Sequence, residues 1–275
     1  MRVYVYRGVG ARLRRLGARR ALDVALCDPD ILRLTGRVRV VLSPRTSTAA
    51  EVAERRRGLE RLSTGSSRLD ELLGGGLEVG YITELVGEYG AGKTQLCHQL
   101  AVMAQLPPGE GGLGSRVLYI DTEGTFRPER IVSMAEYRGL DPREALENIV
   151  YVEAQSLDDL VEAVLSIGRL GVGLVVVDSI AYPFISPRSV GEARRSWGRL
   201  AALLKRLASW SGVAVVTNVE RGGRAVGDPY TSMWVDVRVR LSPLGGGSVE
   251  ALRLMPRSAR ACRLVIREEG VLDAQ

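Results

Sequence analysis

The run Gly87-Glu88-Tyr89-Gly90-Ala91-Gly92-Lys93-Thr94 satisfies the pattern G-x-x-x-x-G-K-[ST] in full. Glycines at that spacing let backbone N–H groups close around phosphate oxygens, the lysine reaches the β- and γ-phosphates, and the Thr94 hydroxyl can ligate Mg²⁺. A tight turn that binds nothing would need the glycines but has no use for the Lys93-Thr94 pair. A triphosphate site also needs a carboxylate at the tip of a neighbouring apolar strand, and Leu174-Val175-Val176-Val177-Asp178 supplies Asp178 for the metal side. A second run, Val117-Leu118-Tyr119-Ile120-Asp121, carries Glu123 just past its tip, where a carboxylate can polarise an attacking water. The plainer readings are a polar strand end for Asp178 and a solvated loop or first-turn acid for Glu123.

The elements that must hold these residues alternate along the chain. Strand-like runs at Tyr81–Val86, Val117–Asp121, Ile149–Val152, Leu174–Asp178 and Val213–Thr217 are separated by helical patterns from Lys93, after Pro128, over Leu157–Leu170 and up to Ser211. Such alternation predicts an α/β fold, a mostly parallel sheet flanked by helices. Toward the C-terminus Val235–Leu241, Ala251–Met255 and Cys262–Ile266 follow one another across Gly-rich turns without a helix, which predicts antiparallel strands extending the sheet. Upstream, Arg12–Cys27 has helical spacing, Val38–Leu42 is strand-like, and a helix over Ala49–Leu62 leads onward. The division expected is a small basic helical region with its linker over residues 1–58 and a core over 59–275.

Composition narrows the function classes. The chain has 275 residues, 45% of them hydrophobic, 25% charged, and a mean hydropathy of +0.03. No apolar run approaches the roughly 18 residues of a membrane helix, so no membrane role is expected. Three cysteines, Cys27, Cys97 and Cys262, lack C-x-x-C spacing, and His98 is the only histidine, which excludes a disulfide framework and a Cys/His zinc site. An intracellular location is the expectation. The net charge is +6, and residues 1–60 hold fourteen arginines against six acidic residues, so the basic face belongs to the N-terminal part. A transit peptide is the minor reading of that stretch, since serine is absent before Ser43.

Further strings carry a family resemblance: Ser63-Thr64-Gly65-Ser66, Leu73-Gly74-Gly75-Gly76, Ile82-Thr83-Glu84, Gln95-Leu96-Cys97-His98, Leu106-Pro107-Pro108, Asp121 through Arg130 and Val215-Val216-Thr217-Asn218. Together with the Gly-rich loop they resemble the RadA group, the archaeal and eukaryotic branch of the RecA recombinase family, closely over roughly residues 60–180 and loosely beyond. The resemblance implies a RecA-type P-loop NTPase core that uses ATP and Mg²⁺ in homologous recombination and DNA repair. It implies Glu123 and Lys93 as catalytic residues, and Gly87 through Gln95 with Arg130 as nucleotide contacts, Arg130 stacking on adenine. Thr94 and Asp178 are implied for the metal. Gly8-Val9-Gly10 and Leu34-Thr35-Gly36 resemble the family's helix-hairpin-helix region.

Departures from the family pattern bear on its activity. Family recombinases polymerise by inserting the phenylalanine of an F-x-x-A linker motif into a neighbour, and the aligned residues here are Ser47-Thr48-Ala49-Ala50. A sensor glutamine is replaced by Val219, and the segment that caps a neighbour's ATP is not recognisable near Leu254-Met255-Pro256-Arg257. Both DNA loops look shortened yet keep Arg188 in the first and Arg221 and Arg224 in the second, which can meet a single-stranded backbone. The expectation is a slow, weakly DNA-stimulated ATPase: a recombinase paralog that binds single-stranded DNA and assists or regulates the cellular RecA-family recombinase. The competing readings are an active strand-exchange recombinase with its own filament and a non-hydrolysing, nucleotide-bound scaffold.

Overall fold

The computed structural model describes residues 4–5, 38–39, 47–57, 60–156, 159–160, 162–163, 171–181, 198, 200–205, 208, 212–256 and 260–274. The chain divides into two compact units, the second comprising Glu60–Val164 and Gly171–Gln275. In the first unit, β1 (Tyr4–Val5) pairs antiparallel with β2 (Val38–Arg39), and α1 spans Ala49–Arg57. A reciprocal cap starts α1. The Thr48 amide donates to Glu51 Oε2 at 2.8 Å while the Glu51 amide donates to Thr48 Oγ1 at 3.2 Å, so two of the helix's orphan donors are answered. The helix expected over Arg12–Cys27 lies outside the described residues.

The second unit opens with β3 (Arg61–Leu62), α2 (Ser67–Leu73) and β4 (Leu77–Glu78). Here the expected helix over Ala49–Leu62 needs correction, because Arg61 and Leu62 are strand, paired antiparallel with Glu78 and Leu77. Leu62 is fully buried in that pairing, which a solvated charged helix would not achieve. Then follow β5 (Ile82–Gly87), α3 (Lys93–Met103), β6 (Arg116–Asp121), α4 (Pro128–Tyr137), α5 (Pro142–Glu147), β7 (Ile149–Glu153) and β8 (Val172–Asp178). The unit ends with β9 (Val213–Arg221), β10 (Arg224–Ala225), β11 (Val237–Gly245), β12 (Ser248–Met255), β13 (Ala261–Arg267) and β14 (Gly270–Asp273). Of the helix expected over Leu157–Leu170, Asp159, Leu160, Glu162 and Ala163 are described and helical.

One sheet runs in the order β14-β13-β12-β11-β5-β9-β8-β6-β7, with β10 folded back on β9. Pairing from β7 through β11 is parallel, and from β11 through β14 antiparallel, as the sequence pattern implies. All six residues of β5 are buried, whereas β12 and β13 alternate with partly exposed positions. Central parallel strands covered on both faces read as continuous apolar runs, and outer antiparallel ones need only one apolar face. Register brings the carboxyl ends of the central strands to one edge: Gly87 lies opposite Val219 and Asp121 opposite Asp178.

Helix α3 packs into this edge with nine of its eleven residues buried. Gln99 is fully buried and answered on both ends of its amide: Nε2 donates to the carbonyls of Thr64 and Val271, and Oε1 accepts the Val271 amide. It thereby fixes α3 between the Ser63–Ser66 loop and β14. Asp273, at the end of β14, accepts from the hydroxyls and amides at the start of α2, so the last strand is fastened at both ends.

Candidate nucleotide site

Strand β5 ends at Gly87, where a Cβ would meet the Leu241 carbonyl oxygen at 2.2 Å, so only glycine lets β11 pass this closely. Gly92 adopts φ +86°, and a Cβ there would meet Ile266 at 2.5 Å. The loop can thus turn directly into α3. The first amides of α3 have no carbonyl one turn back, since the earliest bond inside the helix is Leu96 N–H to the Gly92 carbonyl at 3.0 Å. Their unpaired N–H groups and the positive end of the helix dipole form an anion-binding end. The buried Lys93 Nζ donates to the carbonyls of Gly87 at 3.0 Å and Glu88 at 2.8 Å. Burial lowers its pKa, opposed by the charges of Asp178 and Glu123.

Asp178, at the tip of β8, is buried and accepts the Tyr119 hydroxyl at 2.9 Å and that of Thr217. Burial raises its pKa, while the hydroxyls of Thr217, Thr94 and Tyr119 hold it back. Glu123 is positioned by the neighbouring strand. Asp121 accepts the amides of Glu123, Gly124 and Phe126, each at 2.9 Å, and so ties the loop after β6 into a compact turn. The Ser179 hydroxyl then donates to Glu123 Oε1 at 2.6 Å.

A cleft of about 390 Å³ joins these groups. Its walls are Tyr89 through Gln95, then Glu123, Thr125 and Arg127, then Asp178, Ser179, Thr217, Val219 and Ile266. Of the residues singled out in the sequence, Tyr89, Gly90, Ala91, Gly92, Lys93, Thr94, Gln95, Glu123 and Asp178 therefore meet in one cavity, and Gly87 and Glu88 form the turn beneath it. Arg130 lies behind Gln95. Its Nε donates to Gln95 Oε1 at 2.8 Å and its terminal nitrogens to the carbonyls of Glu268 at 2.8 Å and Arg267 at 2.6 Å. All three nitrogens are thus engaged in the guanidinium plane, and the flat face is what Arg130 has to offer a ring. Among the described residues no group of three His, Cys, Asp or Glu side chains is arranged to hold a metal ion. A divalent cation here would depend on phosphate oxygens beside Thr94 and Asp178, a donor set of hard oxygens that suits Mg²⁺.

Sequence reasoning missed Tyr119, Ser179, Thr217 and Arg127 as parts of this arrangement. Tyr119, Arg127 and Thr217 each lie inside a string that the sequence brought forward, but nothing in those strings marked them as parts of the site.

Beyond Val219 the chain turns back in a tight hairpin. Arg221 pairs with Arg224 across Gly222 and Gly223, both at positive φ, and the two arginines are exposed side by side. Asn218 anchors its base, donating to the carbonyl of Val226 at 2.9 Å and to the fully buried Glu84 at 2.8 Å. Arg238 bridges Glu84 to Asp228, gripping the latter at 2.8 and 2.9 Å. Burial raises the pKa of Glu84 against the pull of Arg238 and Asn218. Arg188 lies outside the described residues.

The family model described as Rad51 matches residues 55–267. A DNA repair and recombination protein RadA from Metallosphaera sedula is 43% identical over 213 residues, covering 73% of this chain and 66% of that protein. This chain thus spans just under two thirds of the length of that relative. No helix among the described residues is long and apolar enough to cross a membrane.

Proposed function

This chain belongs to the Rad51 family, and from that premise we propose that it is an ATP-binding, DNA-binding paralog in homologous recombination and DNA repair, assisting or regulating the cell's main recombinase. In this reading residues 1–58 are a basic, helix-hairpin-helix-like region and residues 59–275 the ATPase core. The protein works inside the cell, in the cytoplasm and at the nucleoid.

The core's own residues divide the work. The amides of the Gly-rich loop and of the start of α3 receive the phosphates, and Lys93 turns from the carbonyls of Gly87 and Glu88 toward the γ-phosphate. Thr94 and Asp178 would hold Mg²⁺, which would supply charge neutralisation at the phosphate oxygens. Glu123 orients the attacking water and accepts its proton. The flat face of Arg130 supports the adenine, with Gln95 at its edge. The Val219 side chain has no polar atom with which to read the γ-phosphate, so turnover is slow and responds weakly to DNA. Arg221, Arg224 and Arg188 meet the backbone of single-stranded DNA.

One observation carries the paralog reading: Ser47–Ala50, aligned with the family's linker anchor, lacks an aromatic residue and forms the capped start of α1. A segment wound into a helix start is not an extended arm. The reverse contact remains open, because β7 is an edge strand whose outer side has no sheet partner among the described residues, and the recombinase's own phenylalanine arm can dock there. Electron microscopy of the full chain with ATP and single-stranded DNA tests the reading. Discrete particles are expected, and long regular filaments would favour an independent recombinase instead.

A further inference from the structure

His98 sits on α3, one turn past Thr94, and is fully buried. Its Nε2 accepts the backbone N–H of Arg127 at 3.2 Å, in the loop that carries Glu123. An accepting nitrogen carries no proton, so the neutral ring bears its hydrogen on Nδ1. That atom is buried without a hydrogen-bond partner among the described residues. A purely apolar side chain would fill the same space without burying an unanswered donor, which is costly to leave unpaired. What histidine adds is the acceptor.

The ring also has two aromatic neighbours, one stacked on it and one tilted against it. Tyr119 lies parallel to it, with centroids 5.6 Å apart and planes at 13°, and Phe126 packs on both at 5.2 and 4.8 Å. Tyr119 is the residue whose hydroxyl binds Asp178, and Phe126 belongs to the Glu123 loop. One side chain of the P-loop helix therefore touches the supports of both carboxylates.

We propose that His98 is a positioning residue whose Nε2 holds the Glu123 loop in register with the P-loop helix and with Asp178. The inference deepens the function proposed above and rests on it for the hydrolysis that Glu123 serves. Without this bond the loop keeps the Asp121 turn and the Ser179 contact, but loses the backbone tie from Arg127 to α3. The charged and titratable groups facing the ring are Asp121 at the end of β6, Arg127 in the loop, Arg130 on α4 and the Tyr119 hydroxyl. Burial and the Arg130 and Arg127 charges, against Asp121, bring its pKa down to about 4, so the acceptor is intact at neutral pH.

Two variants of the full chain separate positioning from packing. His98→Phe keeps a ring but removes the acceptor, whereas His98→Gln keeps an acceptor but removes the ring; His98→Leu replaces the first if the larger ring prevents folding. Amide exchange over residues 122–127 without nucleotide is measured beside ATP turnover and affinity for a fluorescent ATP analogue. His98→Phe should speed exchange at Arg127 and lower kcat, each by about tenfold or more, with affinity within about twofold, since small misplacements of a catalytic group are expensive in rate. His98→Gln should recover most of both. Unchanged exchange in His98→Phe, or equal losses in the two variants, would overturn the proposal. If the wild type does not hydrolyse ATP, the hydrolysis reading fails, while the exchange comparison still decides whether His98 holds the loop.

Discussion

Lys93 is the residue on which the cleft's chemistry depends most directly. Its ammonium is buried on two loop carbonyls, ready to exchange them for phosphate oxygens that carry full negative charge. Lys93→Ala should abolish binding of a fluorescent ATP analogue while the far-ultraviolet circular dichroism stays that of the wild type; equal affinity in the two would remove the nucleotide assignment. Glu123 makes a different kind of contribution. Held by Asp121 and Ser179 at the cleft wall, it is the group we propose to act on the water and not on the bound triphosphate, so Glu123→Gln should reduce turnover by about 10²-fold or more with affinity preserved. The placement of these two residues in one cleft was legible because a motif names the residue type and the strand pattern names its position. Tyr119 and Thr217 were not legible, as their bonds to Asp178 cross strands between residues 59 and 39 positions apart. His98 reads on α3 as a packing position, and its bond to the Arg127 amide exists only once α3 and the loop after β6 have been brought together.

Among elements, the β9–β10 hairpin is the one whose sequence and geometry depart furthest from a loose loop. Two glycines at positive φ permit a two-residue turn, and the arginines on either side are directly paired, which sets two like charges together in solvent. Like charges opposite one another are unfavourable in the free protein, and an anionic backbone laid across them relieves the repulsion. The hairpin's base is rigid by comparison, since Asn218 and Asp228 are tied through Glu84 and Arg238 to the core. Neutralising Arg221 and Arg224 together should weaken binding to single strands without sequence preference, and lower the log–log salt slope by about 0.7 for each phosphate that is no longer neutralised. Titration of a labelled oligonucleotide at several salt concentrations measures both. An unchanged slope would move the DNA-binding surface away from this hairpin. The sequence revealed the shortened loop and its arginines but not the hairpin, because its register follows from bonds that Asn218 and Val219 make to Val226. The short strand β14 escaped for the same reason, since it is fastened by Gln99, 172 residues away, and no local pattern announces that, whereas α2 carries local caps at Ser66 and Gly74 that went unread.

At the scale of the whole molecule the question is what joins one copy to another. The order of parallel and antiparallel strands was readable from the alternation of apolar runs, since each central strand must be covered on both faces wherever it lies. The start of a helix at Ala49 was readable, but the use of the residues just before it was not, because Ser47 and Thr48 fit a linker until the reciprocal bonds of Thr48 and Glu51 draw them into the helix cap. Those bonds make a test of assembly possible. Burying one phenylalanine in a neighbour is worth about 1.5–3 kcal/mol per interface. Straightening the segment into an arm costs about 1 kcal/mol for the broken cap, and each helix hydrogen bond given up, beginning with that of the Val52 amide to the Thr48 carbonyl, costs about 0.5–1.5 kcal/mol more. The gain does not exceed the cost once two such bonds are counted. Ser47→Phe should therefore sediment as the wild type does in the presence of ATP and single-stranded DNA, with no growth of long assemblies. Filaments in that single variant would mean that the aromatic side chain was all that self-assembly lacked, and that the helix start yields readily to an extended arm.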